Sequence, residues 1–593
     1  MFVWRAEERR ARGKQMAAMS TGAGGELVPG HKAGGSATGI RRLWDRKLNH
    51  YPEPRARAGY LAVVVLSSIV CYYQQYVGGA VAPSVLAHFQ ISFRYYLTVV
   101  VIASVAGAVS SLLAGLADRW GRANLVVSGL LAASLITAFG IPSAPNATWY
   151  AICIAAVGFV EGMVLVATPA LVRDFSPQVR RGTAMGLWTL GPVIGSLVVS
   201  EVASNTLDHL RAWEDQFHIA GITGLVVFVL ALLTLRELSP ALRDQVMVSV
   251  RERALIEARA RGIDPEAALR HPWRQMVGID IVVPALGVSL FLLIYYAAVG
   301  FFVIYFNSVF GFSQARANGL GNWFWAADAV TVVVIGIASD RIGVRKPFMV
   351  AGGVGAVIMT AIFATRATQA ATTYTTFIII VSLLSASRGM AYAPWMAAFT
   401  ETVERRNPAL VATGLAIWGW VLRVVVAISF LVIPFVVTSA SPVVDYGPTL
   451  QSIQAQYPTQ IATIRTLDPA TRAALQAGTL SPVTVARAAR EISSGQHVTL
   501  RVATGRLLAV KQIPAADRAY LQAHGQQVLD ARKAAPRQWQ LWWWVCVGGE
   551  VLFLPTILLL AGRWLPSTAR KDEEDHSVLV DAELAEMVST DAA

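Results

Sequence analysis

Five ionisable residues stand where water should be scarce. Glu161, Asp328, Arg388, Arg423 and Glu550 each fall near the middle of a long apolar run. A charge at mid-bilayer costs at least about 2.5–3.5 kcal/mol, so such groups pair or face a hydrated cavity, and they mark functional candidates. A carboxyl in that setting can carry a proton, because burial disfavours its charged form and a nearby guanidinium favours it. A guanidinium can hold an anionic group of a substrate, or hold a carboxylate ionised until substrate displaces it. Phenols and amides extend the set. The run YYQQY places Tyr72, Tyr73, Gln74, Gln75 and Tyr76 in apolar surroundings, and Tyr295, Tyr296 and Asn322 follow later. An unsatisfied amide in lipid is expensive, so Gln74 or Gln75 is expected to face water or protein. Packing is the alternative for any single tyrosine. Tyr72, Tyr73, Gln74, Gln75, Tyr295 and Asn322 therefore join Glu161, Asp328, Arg388 and Arg423 as candidates for a substrate or proton pathway.

The elements that hold these residues are membrane helices. The chain has 593 residues, of which 55% are hydrophobic and 15% charged. Soluble domains carry roughly 25% charged residues, so the deficit points to lipid as the solvent. Runs of about 20 apolar residues can cross a bilayer. Twelve are predicted, over 59–84, 96–116, 124–142, 148–172, 182–204, 217–235, 279–307, 318–339, 346–365, 374–397, 410–438 and 541–563. The three cysteines, Cys71, Cys153 and Cys546, all lie in these runs without metal-ligand spacing and read as packing residues. No metal site, cofactor or ATP-binding loop is expected, and neither is an enzyme.

The chain repeats itself. Tyr72 matches Tyr295 at an offset of 223, Asp118 matches Asp340 at 222, Glu161 matches Arg388 at 227, and Gly186 matches Gly414 at 228. Four ordered matches with a slowly drifting offset imply two homologous six-helix halves, over 59–235 and over 277–438 plus 541–563. Each half has an even number of spans, so the halves relate by an axis along the membrane normal. Glu161 and Arg388 then occupy equivalent places with opposite signs. Arg423 replaces the equivalent Gly195 and is a candidate partner for Asp328.

Charge sets the expected orientation. Five loops on one side hold 18 Lys or Arg and the four short loops on the other side hold four. Cationic loops resist translocation, so both termini are expected in the cytoplasm and the protein in the plasma membrane. The net charge of +13 is thus a topology signal, and nucleic acid is not an expected partner. Residues 1–58 read as a disordered basic tail that meets anionic lipid or only anchors topology, and not as a signal peptide. Residues 236–276 read as a linker with an amphipathic helix, on the membrane surface or in solvent. Residues 439–540 form an extracytoplasmic insert of short helices, a cap or lid. The stretch 564–593 is an acidic tail.

Two charged turns interrupt the apolar runs, AGLADRWGR at 114–122 and GIASDRIGVRK at 336–346. The first resembles the signature G-x-L-A-D-R-x-G-R-K of the major facilitator superfamily, found between helices 2 and 3. The second resembles its recurrence between helices 8 and 9. Ala114 stands at the first Gly position, and Val344 replaces the Arg after Gly343. The resemblance implies an all-α polytopic membrane protein with twelve helices in two pseudo-symmetric bundles. It implies a gating role for Asp118, Arg119, Gly121 and Arg122, and for Asp340, Arg341 and Gly343. Asp174, Arg180 and Arg181, in the turn after helix 4, are expected to form a charge network with the first turn. Helices 1, 4, 7 and 10 line the central cavity in this family, which would set Glu161 and Arg388 across the substrate path. A static buried ion pair is the alternative. Helix 12 is peripheral, which keeps Glu550 off that path.

The run GLWTLGPVIGS is similar to half of the drug–proton antiporter signature, with Gly191, Pro192 and Gly195 present and Ser196 in place of a final Gly; the expected helix 4 Arg is missing. The resulting expectation is proton-coupled efflux of a small organic molecule, with proton-coupled metabolite uptake second. A transport-silent receptor or scaffold that uses 439–540 to meet a partner in the cell envelope is the reading from another class.

Overall fold

The computed structural model describes residues 46–112, 121–175, 188, 190–210, 212–239, 242, 272–407, 410–476 and 481–566, all within one compact unit, Arg46–Ala593. The first half consists of α1 (Pro54–Ala80), α2 (Phe93–Leu112), α3 (Arg122–Leu135), α4 (Ala147–Phe175), α5 (Gly191–Thr206) and α6 (Trp213–Thr234). The second consists of α7 (Ile279–Phe310), α8 (Gln314–Ile342), α9 (Lys346–Arg366), α10 (Tyr374–Arg406), α11 (Val411–Val436) and α12 (Ala515–Thr556). Among the described residues, eleven of these helices are long and apolar enough to cross a membrane. The exception, α5, shows 16 residues, and most of the predicted start of its span lies outside the described residues. The protein is an all-α polytopic membrane protein.

Local chemistry sets several helix ends. Ser313 caps α8 by accepting from the Arg316 N–H, and Thr373 caps α10 by accepting from the Thr376 N–H. Gly343 ends α8 at φ 74°. In the first half α4 packs on α2 and α3, and α1 packs on α5 and α6; in the second α10 packs on α8 and α9, and α12 on α7 and α9. The halves meet mainly where α5 lies against α8, with α1 against α7. Apolar residues that remain outside, such as Val226, Leu233, Trp420, Ile428 and Phe435, suit a lipid-facing surface.

Two boundaries differ from expectation. Residues ahead of 58 already join the fold: Lys47–Leu48 (β1) pairs in parallel with Glu237–Leu238 (β2), just beyond α6. The last span is no separate helix from 541, because α12 runs unbroken from Ala515 out of the insert and into the bundle. The insert itself is helical as expected, with Ala440–Gln456, Pro458–Thr466, Pro469–Gln476, Pro482–Gly495 and Leu500–Ala509. Ser481 and Thr499 cap two of these by accepting backbone N–H groups, and small clusters such as Leu467, Ala488, Ile492 and Ala503 pack them together. The linker helix and the acidic tail lie outside the described residues.

The bundle therefore has an insert end, where α1 and α5 finish and α8 begins, and a basic end, where α3 and α9 begin.

Candidate functional site

Helix geometry first sorts the YYQQY run. Successive residues turn by 100°, so five neighbours cannot share one face. Tyr72, Gln75, Tyr76 and Gly79 lie on one side of α1. Gln75 is exposed, and Tyr72 and Tyr76 are half-buried with their rings 5.6 Å apart. Tyr73 and Gln74 turn the other way. Gln74 Nε2 donates to Ser134 Oγ at 2.9 Å and to the Ala220 carbonyl at 3.3 Å, which ties α1 to α3 and α6. Tyr73 is buried in a cluster with Val77, Tyr150 and Phe217. Both therefore belong to the packing of the first half and not to a pathway between the halves.

The charged candidates also regroup. Arg388 is not opposed to Glu161. Its Nη2 donates to Asp328 Oδ2 on α8, within its own half, and its guanidinium lies over the Tyr295 ring, 4.7 Å from the centroid. The expected Arg423–Asp328 pair is likewise absent, since Asp328 is taken by Arg388. Both Asp328 and Arg388 are buried. The reason is distance along the fold: α8 and α10 pack directly, and the two side chains meet between them. Glu161 is fully buried on α4, and neither of its oxygens has a hydrogen-bond partner. It lies within electrostatic range of Cys71, Tyr72 and Tyr76 of α1. Glu550 is settled inside the second half, where Oε1 accepts from Thr360 Oγ1 of α9 at 2.8 Å. Arg423 is exposed near the middle of α11, within electrostatic range of Tyr72 and Tyr296.

Contacts between the halves gather at the insert end. Asn318 Nδ2 donates to the Ala80 carbonyl at 3.1 Å, Gln314 Nε2 to Ser84 Oγ at 2.6 Å, and Asn322 Nδ2 to Ser204 Oγ at 2.9 Å. Asn322 is thus a seam residue between α5 and α8. A cavity of about 30 Å³, room for little more than water, lies beside this seam against Tyr76, Ser200, Asn318 and Trp325.

The insert adds a fourth tie. Asp445, in the helix Ala440–Gln456, accepts from the Phe93 N–H at the start of α2 at 2.7 Å. Burial pushes its carboxyl up to about 6, with the Phe93 hydrogen bond pulling the other way. A carboxyl raised on folding contributes most below its ordinary pKa, and that contribution is lost as pH climbs through the raised value. Asp445→Asn keeps the acceptor without the charge. The variant should match the wild type below about pH 4 and melt higher than it above about pH 6, read by thermal unfolding across that range.

At the basic end the two halves carry matching locks. Arg122 Nη1 donates to both oxygens of Asp174, at 2.8 and 2.9 Å, and joins α3 to α4. In the second half Arg345 Nη1 donates to Asp340 Oδ1 at 2.5 Å, and Arg345 Nε donates to Glu401 Oε1 on α10 at 3.2 Å. Asp174 and Glu401 differ by 227 positions, the offset of Glu161 and Arg388, while Arg345 stands one residue beyond Val344, the repeat equivalent of Arg122. Glu401 was not a sequence candidate, although the offset applied to Asp174 points to it. Arg341 is exposed. Gly121 sits at φ 95°, and a Cβ there would lie 2.3 Å from Glu237 Oε1. Its missing side chain lets the buried Glu237 carboxylate reach the start of α3, where it accepts from the Ala123 N–H at 3.3 Å. Arg46 completes this corner by donating to the carbonyls of Ala231, Leu232 and Leu235 at the end of α6. No local pattern marked Arg46 or Glu237. Asp118, Arg119, Arg180 and Arg181 lie outside the described residues.

Two six-helix halves meet at a polar seam, an arrangement also seen in transporter folds built from parallel repeats. Residues 64–322 match the family model described as Major Facilitator Superfamily. A bacterial homolog of the human lysosomal transporter Spinster, solved in an inward-facing, unoccupied conformation, has a TM-score of 0.52 at 15% identity, over 87% of this chain and 100% of that one. The proton:xylose symporter XylE, bound to 6-bromo-6-deoxy-D-glucose, has a TM-score of 0.50 at 15% identity, over 64% and 89%. These likenesses establish the fold. Two relatives match shorter stretches. Efflux pump radE of Floropilus chiversii is 28% identical over 165 residues, 27% of this chain and 29% of that protein. Niacin transporter NiaP of Acinetobacter baylyi is 34% identical over 129 residues, 22% and 28%. The chain thus spans less than a third of the length of either. The family match covers under half of the chain, and the likeness to the solved structures is a likeness of fold.

Proposed function

We propose that the protein exports a small organic molecule across the plasma membrane by proton-coupled alternating access, with Glu161 as the proton site. One observation carries this reading. Glu161 is a mid-span carboxyl with, among the described residues, no hydrogen bond to either oxygen and no counter-ion, beside the tyrosines that face the second half. An ionised group so placed would be uncompensated, whereas a proton makes it neutral. Opening toward water would let that proton leave. The Asp328–Arg388 pair, internally compensated, is a positioning element between α8 and α10.

The seam at the insert end supports a state closed on that side, and the excess of Lys and Arg supports a cytoplasmic basic end. The Arg122–Asp174 and Arg345–Asp340–Glu401 locks act as gating contacts, and the remaining motif residues Asp118, Arg119 and Arg341 with them. Export rests on the Gly191-Pro192-Gly195 run and on the likeness to an efflux pump. The likeness to a niacin transporter favours uptake as the second reading. Accumulation of a compound panel decides between them: deletion should raise it for an exporter and lower it for an importer.

Coupling is tested in proteoliposomes with a lumenal pH dye. Wild type should move protons only when a transported compound is present. Glu161→Gln should abolish flux driven by a pH gradient while exchange of the same compound at equal pH continues. Proton movement that is unchanged in Glu161→Gln would remove Glu161 from the coupling path.

A further inference from the structure

Arg423 is the charged group of the spans that the mechanism above leaves unused. It is exposed at the middle of α11, and among the described residues no hydrogen bond or ion pair engages it. Arg388 has Asp328 and two aromatic rings, and Glu550 has Thr360. An unpaired guanidinium at that depth is costly against lipid, and its electrostatic reach to Tyr72 and Tyr296 sets it toward the side where the halves meet.

The repeat says where. Arg423 stands at the position of Gly195, 228 residues earlier. A Cβ on Gly195 would lie 2.6 Å from Tyr72 Cβ, so that position of α5 points directly at α1. By the repeat, the corresponding position of α11 is the one turned to α7, the repeat partner of α1, and α11 packs on α7. Tyr296 of α7 is half-buried there, 5.0 Å from the Tyr295 ring, and Tyr72 approaches from the first half. The first half brings a small residue and phenol rings to the cleft. The second brings phenol rings and a guanidinium.

We propose that Arg423 is the anchor for the acidic group of an organic anion, whose flat apolar body lies against Tyr72, Tyr76 and Tyr296. A guanidinium grips a carboxylate or phosphate through two parallel N–H donors, and phenol rings stack on an aromatic body while their hydroxyls stay hydrated. The substrate class is therefore an amphipathic aromatic acid rather than a cation or a neutral sugar. This rests on the transport reading for its purpose but not for its binding chemistry.

The test uses the full-length protein in lipid nanodiscs, titrated by calorimetry with 2-naphthoate and with its neutral isostere 2-naphthamide. A charge-assisted pair should make wild type bind the carboxylate roughly ten- to a hundredfold more tightly than the amide. Arg423→Gln should bring that ratio close to one, and Arg423→Lys should keep it above one. Ligand-free melting reads whether each variant is folded, and the wild-type ratio decides the matter even if Arg423→Gln is not. Absence of naphthoate binding, equal affinity for the two probes in wild type, or an unchanged ratio in folded Arg423→Gln overturns the anchor. An anion bound through Arg423 but never carried across proteoliposomes sinks the transport reading and leaves this site standing. Transport without anion preference does the reverse.

Discussion

Arg388→Gln loses about 3–5 kcal/mol of stability, and Asp328→Asn a similar amount, while the double variant recovers much of the loss. The asymmetry follows from burial. Asp328 and Arg388 are both closed off from solvent, joined through Oδ2 and Nη2. Removing one partner leaves the other charge in a low-dielectric interior, whereas removing both leaves two amides that can bond to each other. The Tyr295 ring, 4.7 Å from the guanidinium, softens the loss in Asp328→Asn more than in Arg388→Gln, because a cation over a ring keeps one favourable contact. Thermal unfolding in detergent, read through tryptophan emission, gives the four corners of the cycle. Additive single losses, with no recovery in the double variant, would mean that the two charges do not depend on one another. Glu161 would then have to be compared with Arg388 afresh.

That pair shows what a sequence conveys and what it leaves out. The repeat and the apolar runs identified all the mid-span charges, because an intramembrane charge is conspicuous against its neighbours. Partner choice was not legible. Glu161 and Arg388 share an ancestral position, yet Arg388 turns to Asp328 because α8 packs beside α10 within one half. Equivalence by repeat fixes depth and helix, not which neighbour is nearer. Gln74 and Tyr73 were misassigned for a simpler reason. A run of five polar residues looked like one patch, but a helix spreads it around its whole circumference, and Gln74 bonds Ser134 and Ala220 in its own half. The charged turns were readable at Gly121, Arg122 and Asp174, where motif and charge coincide. Glu401 was readable only through the offset, and Arg46 and Glu237 not at all, because they cap helix ends brought together by β1 and β2 from positions nearly two hundred residues apart.

Gly79→Ala moves the protein out of its insert-closed state. An alanine Cβ at this position would lie 2.5 Å from the Val299 carbonyl oxygen of α7. The obstacle is backbone, which cannot swing aside as a side-chain tip can, so α1 and α7 must separate. Overpacking of this kind costs about 1–3 kcal/mol, which shifts a two-state equilibrium roughly five- to a hundredfold. The same separation stretches Asn318 from the Ala80 carbonyl, one residue further along α1, and so loosens the seam. Gly300→Ala is the matched control, because its Cβ would meet only the Phe430 ring at 3.7 Å, an ordinary contact. A cysteine introduced at Ser204, which faces Asn322 across that seam, reports the opening. The native cysteines are buried, so a bulky impermeant maleimide reads the introduced one. Labelling of Ser204→Cys should rise about tenfold with Gly79→Ala and stay level with Gly300→Ala. Equal labelling in all three backgrounds would show that α1 and α7 are not the contact that closes the insert end, and that the α5–α8 seam holds by itself.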